Sequence, residues 1–253
     1  MNSNISLYNK ESYTDKNFNR NNSNNSTNSI NSNSFTSKSV FAFFTLAVFL
    51  FILSFSIALP IIIRPFYYIQ IDLLNIQEHS GYSKDTIITA YDEMLDYCLG
   101  KSNEFSTGDL AFSPDGKAHF DDVKFLFMLD FSILIISLAV IITLFILIKN
   151  KKIPYPLLKN KGALFYGSTL LFILFVAVSI YVLIDFDNAF TSFHNLFFAG
   201  KTNWIFDRKK DQIINILPET YFRNCALAAL FSILLLITAG IISDRKIKVK
   251  TSR

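Results

Sequence analysis

The chain has 253 residues, 51% of them hydrophobic, with 27 phenylalanines, three histidines and two cysteines. Its formal charge of +4 comes from 24 Lys and Arg set against 20 Asp and Glu. That excess is gathered into two short segments beside apolar runs, which excludes a nucleic-acid footprint. The apolar residues are themselves collected into long runs, which excludes an ordinary water-soluble core.

In chain order, residues 1–38 are mostly Asn and Ser. They carry too little apolar area to offset the entropy of folding and are expected to be disordered. Four apolar runs follow, at 40–63, 125–148, 162–184 and 224–242. About 20 apolar residues match a hydrocarbon core roughly 30 Å thick. Backbone polar groups in lipid must be satisfied within the segment, so each run is expected to be an α-helix. Ser56-Ile57-Ala58 has the small-x-small pattern of a signal-peptide cleavage site. The run continues through Ile61, Ile62 and Ile63, which favours a retained signal-anchor.

The expected fold class is therefore an all-α membrane protein, four transmembrane helices with an extracytoplasmic cap made from two loops. Its expected order is a tail at 1–38, a span at 39–64 and the first cap segment at 65–123. A second span follows at 124–148, then a short loop at 149–161 and a third span at 162–184. The second cap segment at 185–223, a fourth span at 224–243 and a tail at 244–253 complete it. Lys149, Lys151, Lys152, Lys159 and Lys161 fill the short loop without an acid, and Arg245, Lys246, Lys248, Lys250 and Arg253 follow the fourth run. By the positive-inside rule these segments and both termini are cytoplasmic, in a multi-pass cell-membrane protein.

Within the first cap segment, Ser83-Lys84-Asp85 reads as a capped helix start. Ile87, Ile88, Tyr91, Met94, Leu95, Cys98 and Leu99 then form a helical stripe, with Asp92, Glu93 and Asp96 off it as a solvated face. Pro114, Asp115 and Gly116 read as a turn. His119 follows, directly before the second run, with Asp121 and Asp122 beside it. Asp130 lies inside that run, either a functional carboxylate facing the bundle or a hydrogen-bonded helix contact. In the second cap segment Phe190, Phe193, His194 and Phe197 fall at helical spacing, Gly200 stops the helix, and Trp204 follows. These rings read as an interfacial aromatic belt. His79 reads as a loop residue. Cys98 and Cys225 are either disulfide partners on an oxidising side or two unrelated small apolar residues.

No H-E-x-x-H, no cysteine pair at zinc spacing, no G-x-S-x-G elbow and no dinucleotide fingerprint is present, so neither a metal nor a nucleotide cofactor is expected. Ser113 and Ser192 read as turn or cap residues more readily than as nucleophiles. What remains is a histidine at the membrane lip of each cap segment. Imidazole, with an ordinary pKa of about 6.5, suits proton transfer near neutrality.

The blocks YDEMLDYCLG, AHFDDVKFLF, FHNLFFAGKTNW and DQIINILPETYF, in that order among four spans, resemble the lipoprotein intramolecular transacylases of Gram-positive bacteria. The likeness runs from about residue 40 to the end of the fourth span. Phe120 follows His119 where Met is common in the family, a swap that keeps an apolar contact. The resemblance implies a diacylated bacterial lipoprotein as substrate, with membrane lipid around it and no cofactor. It implies acyl transfer from the middle glyceryl position to the α-amino group of the N-terminal cysteine, giving a lyso-form lipoprotein. His119 and His194 correspond to the family's catalytic histidines. Phe190, Phe193, Phe197, Trp204, Asp122, Asp130 and Tyr91 are the expected substrate-binding residues. The alternatives are a non-enzymatic membrane sensor or assembly partner with an extracytoplasmic binding cap, an acyl transferase working between two lipid molecules, and a small transporter. The span interiors, almost free of ionisable groups, disfavour the transporter.

Overall fold

The computed structural model describes residues 37–251; the expected disordered tail lies, but for its last two residues, outside them. Helix α1 covers Ser37–Ile62. Three shorter helices follow: α2 at Arg64–Leu73, α3 at Ile76–Ser80 and α4 at Lys84–Cys98. Helix α5 covers Pro114–Lys149 and leads through a two-stranded hairpin, β1 at Leu157–Leu158 and β2 at Lys161–Gly162, into α6 at Ala163–Ile184. Helix α7 at Phe186–Phe197, a 3-10 turn at Gln212–Asn215 and α8 at Glu219–Thr251 complete the chain. Helices α1, α5, α6 and α8 are long and apolar enough to cross a membrane.

The largest departure from expectation is at the start of α5. Pro114-Asp115-Gly116 is a helix start, not a turn. Ser113 is the N-cap and its hydroxyl accepts from the Gly116 N–H at 3.0 Å. Pro114 sits at the first helical position, where its missing N–H costs nothing. At about 1.5 Å per residue, a helix of 36 residues is about 54 Å long, well beyond the roughly 30 Å apolar slab. Its first eleven residues, 114–124, therefore project past the apolar run at 125–148 and carry His119 into the cap. His79 also departs from expectation, being an exposed residue of α3 rather than of a loop.

Two apolar cores divide the molecule. One joins α1, α6, α8 and the C-terminal half of α5 around Phe44, Val48, Ile52, Leu171, Ile233 and Ile237. Helices α1 and α6 approach closely at Gly167, where a Cβ would lie 2.8 Å from the Thr45 carbonyl oxygen. Far from the cap, the buried Asp244 accepts from the Tyr155 hydroxyl at 2.7 Å and the Gly162 N–H at 3.1 Å, tying the hairpin to α8. The second core fills the cap around Tyr67, Ile71, Ile87, Tyr91, Cys98, Phe120, Ile213 and Ile216. Cys98 and Cys225 are both free thiols.

Both cap segments contribute to this second core, so each chemistry-bearing loop is held by the other. Tyr67 stacks on Tyr91 with centroids 3.7 Å apart and donates to the Ile216 carbonyl at 2.8 Å. Arg64 bridges Asp92 at 2.9 Å and also Asp96, joining α2 to α4. The buried Asp211 accepts from the Ser113 N–H at 2.8 Å and from its hydroxyl at 3.0 Å. Beside it, the Gln212 N–H donates to the Ala111 carbonyl, and the Ala111 N–H to the Gln212 side chain, both at 2.9 Å. Asp211 thus clamps the α5 N-terminus to the second cap segment. Asp211→Ala leaves the half-buried Ser113 N–H without its charged acceptor and is expected to cost about 1.5–3 kcal/mol. A lower thermal unfolding midpoint in detergent would register that loss, and an unchanged midpoint would remove the clamp from the account.

Candidate active site

The cap clamps bring His119 and His194 together, although they are far apart in sequence. Their ring centroids are 6.1 Å apart with planes inclined by 26°. Both are buried, His119 at 7% and His194 at 8% relative exposure.

Helix α7 positions His194. Asp185 caps the helix, accepting from the Asn188 N–H at 3.0 Å. One turn before the imidazole, the Phe190 carbonyl lies 2.7 Å from His194 Nδ1. A carbonyl can only accept, so Nδ1 carries the proton and Nε2 presents its lone pair. His119 differs: its Nδ1 is buried with no partner among the described residues.

Rings enclose the pair. Phe198 packs against both imidazoles, at 4.9 Å from His119 and 5.6 Å from His194. Phe206 lies 5.3 Å from His119. Phe190 and Trp204 lie 4.2 and 4.7 Å from His194. Such a wall disfavours the charged form of each imidazole. Burial pushes His119 down to about 4, with the neighbouring His194 adding to the shift. Burial also lowers His194, and the bond to the Phe190 carbonyl partly offsets it. Both rings are therefore neutral at pH 7.

The other expected residues fall into three places. Phe193 touches the edge of His194 at 5.6 Å, and Phe197 packs on Phe193 at 4.7 Å. About half of each of these two rings is exposed. Asp122 faces the second cap segment, where Lys201 Nζ donates to it at 2.6 Å and Asn203 Nδ2 at 3.3 Å. Asp130 and Tyr91 are not brought to the histidines. Asp130 accepts from Ser54 and so ties α5 to α1. Tyr91 shares a hydrogen bond with Tyr221 at 3.1 Å and, with Phe120 and Leu217, lines a small apolar cavity of about 80 Å³.

Sequence reasoning did not single out Phe198, Phe206, Lys201 or Asn203. Phe198 was within reach, being four residues after His194 and so on the same helical face. The others meet α5 only through the folded cap, for which periodicity carries no signal. Asp122 is one turn beyond His119, and its bonds to Lys201 and Asn203 tie that turn to the loop that follows α7. Asp122→Ala is expected to lower kcat/KM by roughly tenfold to a hundredfold through misplacement, with the fold retained. Unchanged kinetics would show that the pair is held without it.

Two neutral, facing imidazoles enclosed by aromatic rings are an arrangement suited to acid–base chemistry. Among the described residues no group of three or more His, Cys, Asp or Glu converges as a metal cage. The sequence of residues 42–222 matches the model of the family described as lipoprotein intramolecular transacylase Lit. Among solved structures, the chain is similar to the membrane-integral lipoprotein intramolecular transacylase Lit from Bacillus cereus. The identity is 26% and the TM-score 0.77, over 87% of this chain and 99% of that one. Two further structures of that protein carry a histidine replaced by arginine or by alanine. They match with TM-scores of 0.68 at 25% and 26% identity, over 87% of this chain and 93% and 94% of theirs. No curated protein sequence matches. The chain belongs to the lipoprotein intramolecular transacylase family and is an acyltransferase of the membrane. Family membership displaces the sensor and transporter alternatives.

Proposed function

We propose that the protein moves the acyl chain from the sn-2 glyceryl oxygen of a diacylated lipoprotein to the α-amino group of its N-terminal cysteine, and that His194 and His119 carry the transfer. The observation that supports this most is the buried imidazole pair, one ring of which has its tautomer set by a backbone carbonyl.

The α-amino lone pair attacks the ester carbonyl carbon. The forming ring contains N, Cα, Cβ, S, two glyceryl carbons, the ester oxygen and the carbonyl carbon. A flexible lipid closes such a ring rarely, and confinement between Phe190, Phe198, Phe206 and Trp204 supplies the missing orientation. His194 Nε2 takes the proton from the attacking nitrogen. Its Nδ1–H bond to Phe190 O strengthens as positive charge develops, the orienting role that a carboxylate plays in a hydrolase triad. His119, held neutral, donates a hydrogen bond to the carbonyl oxygen as it becomes an oxyanion. Negative charge there stabilises the imidazolium of His194, so the base strengthens at the moment it is needed. As the C–O bond breaks, His194 returns the proton to the departing glyceryl oxygen. An ester becomes an amide, which is downhill, so neither ATP nor a cofactor enters the balance.

Phe193 and Phe197, with their exposed faces, are assigned to the acyl chains at the lipid boundary. Asp122, Asp130 and Tyr91 are assigned to the frame around the site. The cap is assigned to the extracytoplasmic side, where a lipoprotein N-terminus stands, and both chain termini to the cytoplasm. The lysine-rich α5–α6 connection and the basic residues that close α8, at the end away from the cap, support that orientation.

Purified protein in detergent, incubated with a synthetic diacylated lipopeptide, should yield an isomeric product with an amide-linked acyl chain. Fragmentation of the N-terminal peptide by mass spectrometry reads that linkage directly. Recovery of unchanged substrate, or of a hydrolysed lipopeptide with a free amine, would overturn the assignment.

A further inference from the structure

A primary amine attacking a carbonyl points its lone pair at the carbon and two N–H groups away from it. In the reading above, one N–H meets His194 Nε2. The other is enclosed by the same rings and needs an acceptor of its own, because a buried donor left unpaired is costly. Apart from the two imidazoles, the only side chain of the aromatic wall with a polar atom is Trp204, and its Nε1–H is a donor engaged with the Lys201 carbonyl at 3.2 Å.

Next to Trp204, Asn203 answers that need. Its Nδ2 donates to Asp122 Oδ2, while Lys201 occupies Asp122 Oδ1. An ionised carboxylate only accepts, so the amide cannot be turned round without losing this bond. The orientation of Asn203 is thus set, and its Oδ1 faces the other way. That oxygen is buried and has no partner among the described residues. Among the described residues the other buried, unpartnered side-chain atoms are the hydroxyls of Thr45, Ser56, Ser168 and Ser179, all on the long apolar helices, and His119 Nδ1. Asn203 is tied through Asp122 to the turn beyond His119, and its chain neighbour Trp204 packs on His194.

We infer that Asn203 Oδ1 is the docking point for the second N–H of the substrate's α-amino group. This rests on the reading proposed for the histidines and adds to it a basis for nucleophile choice. Paired acceptors, Nε2 of His194 and Oδ1 of Asn203, fit a primary amine. A secondary amine can satisfy one acceptor and must press its extra substituent against the other. A hydroxyl has a single hydrogen and leaves one acceptor unmet.

The test compares two synthetic diacylated lipopeptides, one with a free N-terminal cysteine amine and one with that nitrogen mono-methylated. Both are given to the wild-type protein and to Asn203→Ala, and kcat/KM for the N-acyl product is measured. With the primary amine, Asn203→Ala is expected to lose roughly tenfold to a hundredfold, as for a lost buried hydrogen bond. Wild type is expected to lose a similar factor on N-methylation, and the variant to lose little more when both changes are combined. A residue that merely supports the fold would lose the same factor on both substrates, and such multiplying losses would overturn the inference. So would a wild-type protein that uses the methylated amine as well as the primary one, a result that needs no variant to fold. If wild type forms no N-acyl product from the primary amine, the transacylase assignment itself fails, and the inference with it.

Discussion

His194→Gln is expected to lower kcat/KM by about a hundredfold to ten-thousandfold, the range for loss of a general base. His119→Asn is expected to cost only roughly tenfold, because the amide still offers a neutral hydrogen-bond donor to the oxyanion, whereas His119→Ala should lose a hundredfold or more. The contrast follows from what holds each ring. His194 has one nitrogen committed to the Phe190 carbonyl and the other free as a base. His119 has a buried nitrogen with no partner among the described residues, and an environment that keeps the ring neutral. Measured on the synthetic lipopeptide, a more damaging His119→Asn than His194→Gln would exchange the two roles. Neither substitution is expected to alter membrane insertion, since both rings lie outside the apolar stretches of the spans.

The second large effect is on the pH profile. A free α-amino group has a pKa of about 8, so the attacking species falls tenfold for each unit of pH below it. Both imidazoles are held below their ordinary value by burial, His119 at about 4. His119 therefore gains no proton as pH falls through 6.5, and His194 gains one only at a lower pH than a free imidazole does. A plot of log(kcat/KM) against pH should rise with a slope of one through pH 6.5 and level off near 8. A slope of two below 6.5 would mean that an imidazole titrates there as in water, contradicting the enclosed site. The same shifts bear on stability with a definite sign. A histidine whose pKa is depressed on folding binds fewer protons folded than unfolded. Its contribution is fully present above about 6.5 and is lost as pH falls toward the folded value. Thermal unfolding in detergent should accordingly move to lower temperature between pH 6.5 and 4, and the His119→Asn variant should show less of that slope.

Much of the scaffold was legible because lipid imposes a simple rule. Uninterrupted apolar runs with basic residues at one end leave few alternatives, and all four runs are helices in the structure. The stripe beginning at Ile87 and the Ser83 cap were equally plain, since both are local patterns. The start of α5 was not. Pro-Asp-Gly favours a turn by its local chemistry, and the same residues begin a helix here because Ser113 caps them and Asp211, far along the chain, fixes Ser113. Sequence placed His119 directly before the second span; in the structure it lies within the same helix.

The meeting of the two imidazoles was available only through resemblance. No periodicity links residue 119 to residue 194, and the contacts that join them run through Asp122, Asp211 and Gln212. Phe206 and Asn203 were missed for the same reason. Tyr91 and Asp130, expected to bind substrate, lie apart from the imidazoles. Tyr91, part of the α4 stripe, is bonded to Tyr221, and Asp130 to Ser54, the helix contact that was its other reading.

The central claim is that His119 and His194 act on one substrate as a unit. A double-mutant cycle measures this: kcat/KM for N-acyl lipopeptide formation by wild type, His119→Ala, His194→Ala and the double variant. Groups that act together are strongly non-additive, so the double variant should fall within about threefold of the weaker single one. Losses that multiply, or full activity in either single variant, would contradict the account.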